Sequence, residues 1–255
     1  MRKSCAVVLA ALALFALPAP GTAGLFGGGL GAYEDHEYDK AIEKCKGEKD
    51  LECRIVVAFS YLEKYNLYKI KSDKELASAA LGMLHVDVTP KDVDTIAKFL
   101  NIAGNPSGNK EAAKMLKKAF ENAKANAEDI FIIVRFLDPA KGQEANQIAL
   151  DALVARLKPV REYVTSGAAM PPEMRKEIFA EKKLIEPVVA LLNEKKLSGT
   201  ARKLLVIIEE PSLKYLEEQE LTKPVSDTIV EVKKAVAKRV KKFPDSSWSS
   251  PEGKD

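Results

Sequence analysis

Cysteine, histidine and tryptophan are scarce: the 255 residues hold three, two and one of them. The cysteines nowhere form C-x-x-C or C-x-x-C-H, which excludes a c-type haem, and no histidine pair lies near them to complete four metal ligands. Nucleophile turns of the G-x-S-x-G kind are missing, and so is the D-x-D-x-D-G spacing of a calcium loop. Gly27-Gly28-Gly29 has neither the strand before it nor the lysine after it that a phosphate-cradling loop needs. Charge of one sign is lacking too. Lys and Arg number 40 against 37 Asp and Glu, and with Arg2 and Lys3 set aside the balance is 38 to 37. Neutralising a phosphate backbone takes a clustered cationic excess, so nucleic acid is excluded as a partner. Past residue 17 no run is apolar enough to span a bilayer.

What is present begins with a leader. Arg2 and Lys3 precede an apolar run from Cys5 to Leu17, which is too short to cross a bilayer core that needs about 20 apolar residues. Pro18 and Pro20 end it, and Gly21-Thr22-Ala23 supplies the small residues a signal peptidase inspects. Residues 1–23 therefore read as a signal peptide cut after Ala23, which places the chain in the periplasm or outside the cell. Cys5 stands before the apolar run rather than at its end, unlike the cysteine of a lipoprotein. Outside the leader only Cys45 and Cys53 remain, an even pair in an oxidising compartment. We expect them to form a disulfide that staples a helix–turn–helix, with Gly47 near the end of the first helix. Closing so short a loop stabilises a fold by about 2–3 kcal/mol in the chain-entropy account.

Residues 24–32 are glycine-rich and read as a flexible lead, 33–243 as one helical domain, and 244–255 as a disordered polar tail carrying Trp248. Helix starts are announced by side-chain oxygens that accept from unpaired backbone donors: Ser72 with Glu75, Thr89 with Pro90 and Asp92, Asn109, Asn126 with Asp129, and Pro171-Pro172-Glu173. Breaks fall at 105–108, Asp138-Pro139, Gly167, Ser198-Gly199, Pro211 and Pro224, while Pro159 either kinks a helix or opens one. Val225, Ile229, Val232, Val236, Val240 and Phe243 recur at steps of three and four, one face of a helix. The runs 130–134 and 204–208 are as β-branched as buried strands. With no other strand to pair with, they would leave their backbone donors and acceptors unbonded, so helix is expected there as well. The reading is all-α: roughly ten to twelve short helices on short loops, hence stacked antiparallel hairpins, each burying its apolar face only when the next covers it.

Glu186-Pro187-Val188-Val189-Ala190-Leu191-Leu192-Asn193, followed by Ser198-Gly199-Thr200-Ala201-Arg202-Lys203-Leu204-Leu205-Val206-Ile207-Ile208, resembles a HEAT-type repeat, and Pro211 to Leu216 is similar to the opening of a further unit. The likeness spans residues 184–218, and Glu194-Lys195-Lys196 stands where the family carries a turn aspartate. It implies a curved α-solenoid of the HEAT or armadillo kind, whose members mostly bind other proteins, and it transfers no catalytic residue.

Candidate chemistry is thin. Glu34-Asp35-His36-Glu37-Tyr38-Asp39 offers oxygen and nitrogen ligands to a divalent cation, or simply an acidic first helical turn. His85, in the apolar setting 82–87 beside Asp87, reads as a core histidine with no nucleophile turn to serve. The pairs Asp92 with Asp94 and Glu209 with Glu210 invite glycosidase chemistry. The α-superhelical envelope muramidases, however, carry Glu followed by Ser, a dipeptide this sequence lacks. Lys233, Lys234, Lys238, Arg239, Lys241 and Lys242 form one basic stretch, which complements a helix C-terminus or contacts an anionic membrane surface or acidic partner. No cofactor and no catalytic or metal-ligating residue is assigned. The expectation is an exported, non-enzymatic scaffold for protein–protein contact in the cell envelope, with a carrier of apolar ligand such as lipid as the alternative and an envelope hydrolase behind both.

Overall fold

Where a helix starts depends on what takes its first backbone donors, and three starts are settled by local side chains. Asp50 Oδ1 accepts from Cys53 N at 2.9 Å, and Asn126 Oδ1 from Asp129 N at 2.8 Å. Thr89 and Asp92 form a reciprocal capping box with Pro90 at the first position. A computed structural model of the chain describes residues 28–166 and 176–243, without the side chains of residues 85–87, 139, 176 and 177. The expected leader (1–23), the C-terminal tail (244–255), the break at Gly167 and the start at Pro171-Pro172-Glu173 lie outside the described residues.

Among the described residues there are twelve α-helices, no strand, and four short 3-10 turns. In chain order the helices are α1 (Gly29–Glu34), α2 (Tyr38–Cys45), α3 (Leu51–Tyr68), α4 (Lys71–Asp87), α5 (Val93–Ala97) and α6 (Pro106–Glu121), then α7 (Ala127–Val134), α8 (Gln143–Ser166), α9 (Lys182–Ala190), α10 (Ser198–Ile208), α11 (Glu210–Glu217) and α12 (Lys223–Lys242). Both strand-like runs are helical: 130–134 lies in α7 and 204–208 in α10. Their density of apolar residues is consumed by neighbours on several sides, α8 and α9 around α7, and α8, α9, α11 and α12 around α10. Ile130, Ile133, Leu204, Leu205 and Ile208 are buried accordingly.

Several local expectations are corrected. Ser72 is not a cap; α4 begins at Lys71 with Ile70 before it and no side-chain bond at its N-terminus. Asn109 lies inside α6, where its amide holds the preceding loop by accepting from Ile102 N at 3.1 Å and donating to Ile102 O at 2.9 Å. The start of α6 is capped instead from α3: Glu63 Oε1 accepts from Ser107 N at 2.9 Å and Gly108 N at 2.7 Å. A carboxylate more than forty residues away in sequence cannot be found by local pattern. Pro159 sits within the continuous α8, and Pro187 within α9. The glycine-rich lead is shorter than expected, because α1 starts at Gly29, where a Cβ would overlap Cys45 Sγ and press on Val56. Glycine is needed there for close approach.

Packing is mostly between helices near one another in the chain. α3 lies along α2 and α4, α6 touches α3, α5 and α8, and α8 and α12 both flank α10. One continuous apolar core runs from Ala32 to Val232. Its N-terminal end is an aromatic cluster, Tyr33 with Tyr38, Phe59 and Phe99 at centroid separations of 5.9, 6.4 and 5.9 Å. Among the described residues no helix is long and apolar enough to cross a membrane.

Candidate interaction surface

The disulfide is built by the two helices it joins. α2 ends at the buried Cys45, Gly47 turns the chain at φ 89°, and Asp50 fixes the first turn of α3, which carries Cys53. The two cysteines are bonded, with Cα atoms 4.9 Å apart. Beside the bond opens a cleft of about 350 Å³, its apolar wall formed by Ile42, Cys45, Val57, Tyr61, Ala80 and Met83.

That cleft continues onto α4. Asp73, Ala77 and Leu84, spaced four and seven apart, turn inward and are buried. Leu76, Ala80 and Met83 form the adjoining stripe, in which Leu76 is 47% and Met83 61% exposed. A helix this rich in apolar residues buries only one of its faces within the chain, and the other faces solvent. Chemically such a face accepts apolar side chains, and Lys46, Glu48 and Arg54 complete the lining of the cleft it runs into.

The basic stretch of α12 divides. Lys233, Lys234, Lys238, Lys241 and Lys242 are exposed, with Lys233 Nζ 2.9 Å from Glu217. Arg239 points the other way. Its side chain is 2% exposed, and it donates from Nε to Glu209 Oε2 at 2.6 Å and from Nη2 to Glu210 Oε2 at 2.8 Å. Arg161 of α8 donates from Nε to Glu209 Oε1 at 2.8 Å. Glu209, fully buried, occupies φ 61°, ψ −129° at the junction of α10 and α11, a backbone region costly for a residue with a side chain. The guanidinium thus locks three segments together and is not available to an outside anion.

The remaining candidates resolve into structural roles. His36 Nδ1 lies 3.0 Å from Asn105 Oδ1, which also accepts from the Tyr38 hydroxyl at 2.6 Å. Asn105 Nδ2 donates to Tyr33 O at 3.1 Å, so a buried amide ties α1 and α2 to the start of α6. Burial, and then the Glu63 carboxylate, pushes the Tyr38 phenol up to about 12 and that of Tyr33 higher still, so both stay protonated at ordinary pH. Asp92 is consumed by its cap, and Asp94 lies 3.4 Å from Arg135. Among the described residues no three His, Cys, Asp or Glu side chains gather as a metal site would require. His85 lies in α4, and its side chain is outside the described ones.

The exposed stripe of α4 and the residues Glu63, Asn105 and Arg161 went unread in the sequence. An apolar residue on the outer side of an apolar helix carries no mark distinguishing it from one inside, and the three polar residues act across 44, 72 and 48 positions of chain. The chain matches no protein-family model, no curated protein and no solved structure.

Proposed function

We propose that this chain is an exported scaffold whose helices stack as antiparallel hairpins in an α-solenoid of the HEAT or armadillo kind, and that it works by non-covalent recognition of another protein. The stacking is supported by packing between helices close in chain order. Export is supported by the leader pattern of residues 1–23 together with the Cys45–Cys53 disulfide, a bond that persists in oxidising compartments. The observation that carries recognition is the outward stripe Leu76–Ala80–Met83 running into the cleft beside the disulfide. Its occupant is an amphipathic helix of the partner, laid along α4 with one apolar anchor in the cleft.

The test is photo-crosslinking from position 83 in envelope extract, compared between the parent and the Leu76→Asp variant. A single protein crosslinked through a helical segment, and lost on Leu76→Asp, is the expected outcome. Crosslinks that survive Leu76→Asp unchanged, or native mass spectrometry showing a bound lipid in the cleft, would end the reading; the second result makes the chain a carrier.

A further inference from the structure

The hairpin of α3 and α4 has a second surface at its far end, distinct from the α4 stripe. The two helices are joined through Lys69 and Ile70, and Lys69 takes the left-handed conformation at φ 59°, ψ 27°, its N–H donating to Tyr65 O at 2.8 Å. This is a helix-terminating position where glycine is the unstrained choice. A lysine held there puts a charge on the apex of the turn.

Around it, Leu67 is 60%, Tyr68 65% and Ile70 45% exposed, three large apolar side chains within four residues at the turn, with Tyr68 also lining a hollow beside Lys64 and Asp39. A cationic collar lies behind them. Lys69 Nζ and Lys74 Nζ stand 5.4 and 5.6 Å from the centroid of the Tyr65 ring, and Lys64 Nζ 5.9 Å from that of Tyr61. Lys71 is exposed, 3.9 Å from a less exposed Glu75. The acidic groups facing the collar are Asp39, which holds Lys64 at 2.6 Å, the buried Asp73 at 4.0 Å from the same lysine, Glu75, and Glu37, which lines one hollow with Lys64 and Tyr68 and is itself paired with Lys40. Lys69 and Lys74 are turned toward an aromatic face instead, and with Lys71 they ring the apolar apex.

We infer that this tip docks on a bilayer surface bearing anionic lipid. Leu67, Tyr68 and Ile70 enter the boundary between headgroups and acyl chains, and Lys69, Lys71 and Lys74 lie in the phosphate plane. Charge complementarity selects the anionic surface, and the side-chain chemistry suits a bilayer interface. Exposed aliphatic side chains at a turn are received by a fluid interface without a matching pocket, and tyrosine and lysine are the side chains that suit that depth. The contact is shallow, because the apex is only the end of a hairpin.

The experiment is co-sedimentation of the full chain with vesicles of phosphatidylcholine, with and without phosphatidylglycerol, at low and high salt. Three variants are compared with the parent: Leu67→Ser/Ile70→Ser, Lys69→Gln/Lys71→Gln/Lys74→Gln, and Leu76→Asp/Met83→Asp, each checked for unchanged helix content by circular dichroism. Binding is expected only where phosphatidylglycerol is present. It should weaken roughly fivefold for each lysine removed, fall at least as far in the Leu67/Ile70 variant, and stay as in the parent when Leu76 and Met83 are changed. The inference is overturned if the parent ignores anionic vesicles. It is equally overturned if the tip variants bind as the parent does, which would assign binding to the α12 lysines or the apolar N-terminal run.

Discussion

Replacing Arg239 with methionine separates two descriptions of the same residue. By sequence neighbourhood it belongs to an exposed lysine run; in the structure it donates at 2.6 Å to a carboxylate that is itself fully buried, and at 2.8 Å to Glu210. Removing one partner of a buried ion pair costs about 3–5 kcal/mol, mostly because the other charge is left without compensation. Arg161 still reaches Glu209, and its side chain is 31% exposed, so water assists that side. The expected loss is therefore at the lower end, about 3 kcal/mol. Urea unfolding followed by far-UV circular dichroism measures it, as a fall in midpoint of about 1 M for an m-value of about 3 kcal/mol/M. Glu209→Gln supplies the second arm of a cycle: the double variant should be less destabilised than the two singles together by about 1–3 kcal/mol. A loss below about 1 kcal/mol for Arg239→Met, the range of an exposed pair, would refute the buried pairing and return Arg239 to the surface with its neighbours.

Other perturbations test other parts of the fold. Gly108→Ala places a Cβ over the Tyr33 hydroxyl and 3.2 Å from Phe59 Cδ2; overpacking of this kind costs about 1–3 kcal/mol, read from the same urea transition. Reducing the Cys45–Cys53 bond should lower stability by about 2–3 kcal/mol, measured by unfolding with and without reductant, with little change in the folded spectrum. In alkali, the Tyr38 phenol ionises near 10 when unfolded and about 12 when folded, so the folded state holds the proton longer. Its contribution is whole below pH 10 and is lost as pH rises toward 12, so stability should fall across that window, more gently in Tyr38→Phe. An unfolding midpoint independent of pH between 10 and 12 would contradict the burial of that ring.

Helix was readable in this sequence because its cause is local. The 225–243 periodicity became α12, and the Thr89 and Asn126 caps stand where their side chains can reach their own helix starts. Even there the pattern did not measure depth: Val225 and Val232 are buried, whereas Val240, on the same spacing, is 43% exposed, and at that level it is the adjacent Arg239 that turns inward to Glu209. Prolines marked boundaries with less certainty. Pro106, Pro211 and Pro224 lie in first turns, where a missing donor costs nothing, while Pro159 and Pro187 are carried inside helices by their packing.

By itself the sequence determined the helical class, the pairing of its two downstream cysteines and most places where the chain changes direction, since each depends on residues within a few positions of one another. Tertiary structure alone decided which side of α4 meets solvent, that Glu63 caps a helix from another one, and that one arginine in a basic run turns inward. Those outcomes depend on which segments meet in space, and a side chain's charge or hydropathy does not say what will stand opposite it.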